Sequence, residues 1–464
     1  MRALPLLLVA VAACMPSRSG VFRPVDREVE RRLGVTATWG EPDAATTSAI
    51  TALLAKPLDR AAVVRIAIAT NRRLQARYDE LGIAASAIAT ATVLGPTQVD
   101  VSYKYALADG HSNETEIDVT QDILELLQIS QRRGVASAEL AAARARAVAA
   151  TVELVARVEG AFVDVVAAQQ ELELRQTAFD AASASADLTD RMHAAGNVSD
   201  LVVARERDRR ESSRLDLGRA QVDVELRREL LNELMGVTGD RTKWSIVERL
   251  GDLPATAPPL DDLERTAVGA SLELEAAKHD GEAAAARVGV ARLRAWLPEL
   301  GVGVSASREG GEWAVGPAVS FGLPIFDQQQ GSRARAHAEL RRARNEATAT
   351  AVELRARARA SRQRVLAAYA EARHLLTVVL PLRQRILDET LKQYNAMNAS
   401  PFELLVARRE VVDGGRQYID ALRRYWRADA DARALARGGM VAGDDDRAPA
   451  SSSGGGGPAG AQEH

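Results

Sequence analysis

Apolar and polar positions along this chain follow two periods in turn, and the order of the periods repeats. Leu58, Ala61, Ala62, Ile66, Ala69 and Leu74 recur at the spacing of one helical face. They predict a helix running toward Thr92 and stopping before Gly95-Pro96. The period then falls to two. Val99, Val101, Tyr103, Tyr105 and Leu107 alternate with Asp100, Ser102, Lys104 and Ala106. Ala108 to Asn113 has the composition of a turn. Thr115, Ile117 and Val119 then alternate with Glu116, Asp118 and Thr120. This is a hairpin with one apolar and one polar face, and strands of about ten residues match a tilted bilayer crossing.

After Gln121 no proline occurs until Pro254. Val158, Val165, Leu172 and Phe179 recur every seven residues, with Val148, Val152, Val155 and Phe162 beside them, a heptad-like seam. A helix of about 70 residues would be about 105 Å long, which fits a coiled coil or a tube rather than a compact domain. Gly196-Asn197-Val198-Ser199 interrupts it, and a second helix continues to Met235-Gly236.

The plan then starts again. Ala267 and Leu274 repeat the spacing of Ala67 and Leu74, and Pro298 takes the place of Pro96. Leu300, Val302, Val304 and Ala306 alternate with Gly301, Gly303, Ser305 and Ser307. Past a tip at Arg308 to Glu312, Trp313, Val315, Val319, Phe321 and Leu323 alternate with small residues. Pro324-Ile325-Phe326-Asp327 closes this hairpin, and Gln328-Gln329-Gln330-Gly331 opens another long helix. Leu375, Val379, Leu382 and Ile386 keep its stripe, Met397 to Pro401 repeats the earlier break, and a last helix runs to about Arg437. The chain therefore divides into a leader (1–13), an extended or loosely helical arm (14–57), a first repeat (58–236, hairpin about 97–124), a joint (237–259), a second repeat (260–437, hairpin about 299–326) and a disordered tail (438–464). The fold class is mostly α with a small β part.

Composition sharpens this picture. Hydrophobic residues make up 47% of 464 but aromatics only 4%, so alanine supplies much of the apolar content and suits closely packed long helices. The net charge of −3 gives no field for nucleic acid, and the Arg205 to Arg214 stretch carries interleaved acids, a solvated face. No other run reaches roughly 18 apolar residues. The one cysteine, Cys14, follows Arg2, an apolar run and Val11-Ala12-Ala13. This resembles a bacterial lipoprotein signal, with cleavage before Cys14 and lipidation of it. None of the six histidines forms a metal-ligand spacing, Ser199 and Ser400 have no nucleophile partners, and Gly310-Gly311 is a hairpin tip. No catalytic residue, cofactor site or metal centre is expected.

The doubled plan, the Leu58…Ala67…Asn71…Leu74 opening, the Gly322-Leu323-Pro324-Ile325-Phe326-Asp327 handover, the two breaks and Glu403-Leu404-Leu405-Val406-Ala407 together resemble the TolC family of outer-membrane efflux channels. The likeness spans 58–437. The resemblance implies a homotrimer in which each protomer gives four strands to a shared twelve-stranded transmembrane β-barrel and long helices to an α-barrel in the periplasm. It implies an outer-membrane, lipid-anchored exit duct that works with a periplasmic adaptor and an energised inner-membrane pump. Odd positions 99–107 and 313–323, and even positions 300–306, would face lipid. Asp100, Lys104, Glu116 and Asp118 are candidate lumen residues, where simple solvation of the wall is the plainer account. Glu403, and Asp200 after the first break, are candidate entrance or gate residues; Val406 stands where a second carboxylate often occurs. An exposed acid at a helix start accounts equally for Glu403. The glutamine stretch after Pro-Ile-Phe and Asp118-Val119-Thr120-Gln121 resemble the branch that exports heavy-metal cations, with small drugs as the other cargo. The competing class is a non-conducting, lipid-anchored periplasmic coiled-coil spacer or adaptor, which leaves two membrane-length hairpins unexplained.

Overall fold

The computed structural model describes residues 17–105, 113–296, 299–309, 311–322 and 329–440. Cys14 with the 1–13 leader, the turn at 106–112, Pro298, Gly310, the 323–328 handover and residues 441–464 lie outside the described residues.

The arm is more regular than its sequence suggests. It forms α1 (Arg18–Leu33) and α2 (Ala44–Leu54). Ser17 caps α1, and Val21, Phe22, Val25 and Val29 bury one face of it in the main core. Prolines and glycines hid this periodicity: Pro24 lies inside α1 yet leaves the buried face intact. The Asp26 carboxylate then accepts from the Ala37 N–H at 2.8 Å and holds the following loop against α1.

The helix expected from Leu58 to Thr92 is two helices, α3 (Arg60–Thr70) and α4 (Arg72–Thr92). Asn71 breaks them by capping α4: its Oδ1 accepts from the Leu74 N–H at 2.9 Å. The second copy breaks alike, into α7 (Leu263–Ala270) and α8 (Leu272–Trp296), with Ser271 Oγ accepting from the Leu274 N–H at 3.1 Å. The spacing of apolar residues survives the break, so periodicity alone read each pair as one helix.

Strand β1 (Gln98–Lys104) and strand β2 (Glu114–Asp122) lead into α5 (Leu124–Ala194), 71 residues and about 105 Å long. Asp122 Oδ1 accepts from the Leu124 N–H at 2.8 Å and starts this helix without a proline. α6 (Asp200–Met235) returns antiparallel to α5. The joint is pinned by Trp244, whose indole N–H donates to Asn232 at 2.7 Å in the core. In the second copy α8 leads to β3 (Leu300–Glu309) and β4 (Glu312–Phe321), then to α9 (Gln330–His374). A π turn at Leu375–Val379 joins α9 to α10 (Leu380–Asn395), next to Pro381, whose missing N–H cannot continue the ladder. α11 (Pro401–Ala436) completes the second hairpin.

Packing gives two stacked layers. Below the sheet the neighbours run α4, α5, α8, α9; further down they run α6, α5, α11, α10. Heptad-spaced charges lock α5 to α8: Glu139 pairs with Arg287 and Arg146 with Asp280. The expected seam is buried at Val158 and Val165 but only half-buried at Leu172 and Phe179. In α10 no residue is buried, and Leu382 and Ile386 are exposed.

The first residues of the stretch expected as a tail pack against the fold. Gly438 accepts from the Leu272 N–H at 3.0 Å, and both Gly438 and Gly439 are buried. Gly438 has φ of 90°, and a Cβ there would collide with the Ala270 carbonyl, so only glycine closes this contact.

Candidate functional site

The sheet has the order β1-β2-β3-β4, all antiparallel, so β1 and β4 are free edges. Directly paired residues share a face. One set of rows reads Val101, Ile117, Ala306, Val315 and Val99, Val119, Val304, Pro317. The alternate rows read Asp100, Asp118, Ser305, Gly316 and Ser102, Glu116, Ser307, Ala314. The large apolar side chains of all four strands therefore gather on one face, which also carries Thr115, Gln121 and Arg308, while the acids and Lys104 gather on the other. Val101, Trp313, Val315 and Phe321 are exposed on the apolar face, which nothing in the chain covers among the described residues.

Asp100, Lys104, Glu116 and Asp118 come together on the polar face. Lys104 Nζ lies 3.1 Å from Glu114 and 3.7 Å from Glu116. Asp100 and Asp118 are direct cross-strand partners, two like charges held side by side, which disfavours this register unless cations attend them. Small residues on the polar side of β3 let the strands approach: a Cβ at Gly303 would collide with the Val119 carbonyl.

Asp200 and Glu403 sit at the far ends of the helical hairpins. The α5–α6 turn uses Gly196 at φ 78°. There the His193 ring meets the Val198 carbonyl at 2.9 Å and Asp200 at 3.3 Å, and the Asp200 side chain is 98% exposed. At the α10–α11 turn, Met397 takes φ 59° and Ser400 and Glu403 form a capping box: the Glu403 N–H donates to Ser400 Oγ at 3.2 Å and the Ser400 N–H donates to Glu403 Oε2 at 2.8 Å. The Glu403 carboxylate thus has a helix-start role. No contact joins Asp200 to Glu403 among the described residues.

No family model matches the chain. It is 23% identical over 382 residues to the cobalt-zinc-cadmium resistance protein CzcC of Cupriavidus metallidurans, covering 81% of this chain and 88% of that one. The CmeC outer membrane channel of Campylobacter jejuni superposes with a TM-score of 0.67 at 15% identity, covering 91% of this chain and 93% of that one. The outer membrane protein VceC of Vibrio cholerae gives 0.63 at 17% identity, covering 91% and 99%. The chain has the fold of the TolC-type outer-membrane channels.

Two features of this channel fold escaped sequence reading. Asp164 of α5 is 3% exposed and meets Arg427 at 3.1 Å, Arg423 at 3.5 Å and Arg227 at 3.6 Å, so one buried carboxylate ties α5 to α6 and α11. Burial pushes its pKa up, against the pull of Arg427, Arg423 and Arg227. Its only sequence signal is a lone acid inside Phe162-Val163-Asp164-Val165-Val166. Below it, a groove of about 430 Å³ separates α5 and α6 from α11, with Arg209 set 5.7 Å over the Phe402 ring.

Proposed function

We propose that this chain is the protomer of a trimeric outer-membrane exit channel that carries cations outward from a periplasmic adaptor and an inner-membrane pump. The carrying observation is the amphipathic four-stranded sheet with two free edges. Open edges and an exposed apolar face are incompatible with a lone copy in water or lipid. Three copies supply twelve strands, an even number within the range of closed membrane barrels. From the Arg308 row to the Phe321 row the apolar face runs about 26 Å along the strand, which a tilt of about 40° reduces to about 20 Å of height, close to a membrane band.

The lower helices support the same closure. α6 exposes Leu215, Val222, Leu226 and Leu230 on one flank, and α10 exposes Leu382 and Ile386 on the other. A head-to-tail ring brings one flank against the other. The polar face then lines the pore with Asp100, Glu116 and Asp118, and Lys104 offsets only part of that charge. Cations are the favoured cargo on this reading, and the likeness to a cobalt-zinc-cadmium resistance protein supports divalent metal ions. Asp200 and Glu403 flank the periplasmic entrance. The Val11-Ala12-Ala13-Cys14 run supports a lipid anchor on Cys14.

The test uses the full chain. Expected are heat-modifiable trimers in the outer-membrane fraction and cation-preferring pores in planar bilayers. A soluble monomer that forms no pores overturns the proposal and favours the spacer.

A further inference from the structure

One row of the apolar face differs from those below it. Tyr103 pairs with Thr115, Thr115 with Arg308 and Arg308 with Trp313, so these four side chains cross the sheet at one height. The rows beneath, Val101 to Val315 and Val99 to Pro317, are wholly apolar. Arg308 is the one charged residue on this face among the described residues. Its guanidinium lies 5.8 Å from the Trp313 ring, and no acid lies within ion-pair distance of it among the described residues. Glu309 and Glu312 pair with each other in the next row and project to the opposite face. The sheet's other cation, Lys104, is already held by Glu114 and Glu116 on the polar face.

A guanidinium without an acid, 5.8 Å from an indole at the rim of an apolar wall, suits an anion at a lipid–water boundary. Carboxylate and phosphate both fit its fork, but at this height the available anion is a lipid phosphate. We propose that Arg308, supported by Trp313 and flanked by the Thr115 hydroxyl, binds the phosphate-bearing headgroup of an outer-leaflet lipid. This rests on the channel reading above, which places the helices in the periplasm and the Arg308 row at the outward end of the wall. Tyr103 closes the row as a second amphipathic ring at the same level. The bound lipid would fix the height of each protomer in the outer leaflet while the barrel closes.

The test reconstitutes the full-length trimer into phosphatidylcholine nanodiscs doped with lipid A, or with lipid A stripped of its phosphates, and counts retained glycolipid by native mass spectrometry. Wild type is expected to retain roughly one phosphorylated lipid per protomer. Arg308→Gln lowers that retention about tenfold, as expected for losing one charge-assisted contact, and Arg308→Lys restores part of it. Pores of wild-type conductance from Arg308→Gln confirm that the barrel still assembles. Equal retention by Arg308→Gln, or equal retention of the dephosphorylated lipid, overturns the proposal with the channel reading intact. Complete displacement by excess inorganic phosphate also overturns it, since the site would then take a free anion. A wild-type chain that neither inserts nor conducts overturns the channel reading and this inference with it.

Discussion

Asn71 and Ser271 occupy the same place in the two repeats, and the structure makes their substitution unequal. Each side chain caps a helix, through the Leu74 N–H at 2.9 Å and the Leu274 N–H at 3.1 Å. Replacing either by alanine removes a cap worth about 1 kcal/mol. Asn71 does more. Its Nδ2 donates to the Leu234 carbonyl at 2.8 Å, and the residue is buried against the end of α6. Alanine there leaves that carbonyl unsatisfied in the core, at a further cost of about 1–3 kcal/mol. Asn71→Ala is therefore expected to destabilise by about 2–4 kcal/mol and Ser271→Ala by about 1 kcal/mol. Asn71→Asp separates the two parts: it keeps the cap acceptor but loses the donor and sets a carboxylate against the Leu234 carbonyl. It should be at least as damaging as alanine. The assay is the thermal midpoint of the detergent-solubilised trimer, followed by circular dichroism, with urea titration for the free energies. If Ser271→Ala matches or exceeds Asn71→Ala, or Asn71→Asp behaves like wild type, the link from α4 to α6 through Leu234 is not the source of the asymmetry.

Asp164 has a pKa raised mainly by burial, so its contribution to stability is fully present below the unfolded carboxylate value of about 3.9 and is lost as pH rises through its folded pKa. The stability of wild type relative to Asp164→Asn should accordingly fall from acid toward neutral pH in matched thermal scans; a gap that widens with pH contradicts the burial argument. Gly303→Val should block trimer formation, because its side chain would meet the Val119 carbonyl across β2 and β3, whereas Gly316→Ala, with open space around it, should assemble normally on semi-native gels. Glu403→Gln keeps an oxygen for the capping box and removes the charge, so stability should change by under about 1 kcal/mol while cation preference in planar bilayers drops. Unchanged reversal potentials would leave Glu403 with a structural role alone.

Much of this architecture was legible because it rests on local period. Alternation gave the four strands and the face of each residue, and the register agrees: Asp100, Lys104, Glu116 and Asp118 share one face, while Val99, Val101, Val304 and Val315 share the other. The two breaks before α6 and α11 were readable from Gly196 and from Ser400-Pro401, residues whose backbone preferences act without tertiary help. The α1 stripe of Val21, Phe22, Val25 and Val29 is present in the sequence, but Gly20 and Pro24 beside it read as breakers, and only packing on the core shows that the helix tolerates them. The Asn71 and Ser271 breaks were missed since a cap changes chain direction without disturbing the three-to-four spacing of neighbours.

The doubled order of long helices and amphipathic hairpins is set along the chain, because backbone hydrogen bonding and the period of apolar residues depend on neighbours in sequence. Packing in three dimensions sets which hairpin lies beside which, brings Arg308 to the height of Trp313 and Tyr103, and gathers arginines from α6 and α11 around Asp164. Those juxtapositions join residues up to 263 positions apart. Their register comes from packing and charge pairing across elements, which no local pattern encodes.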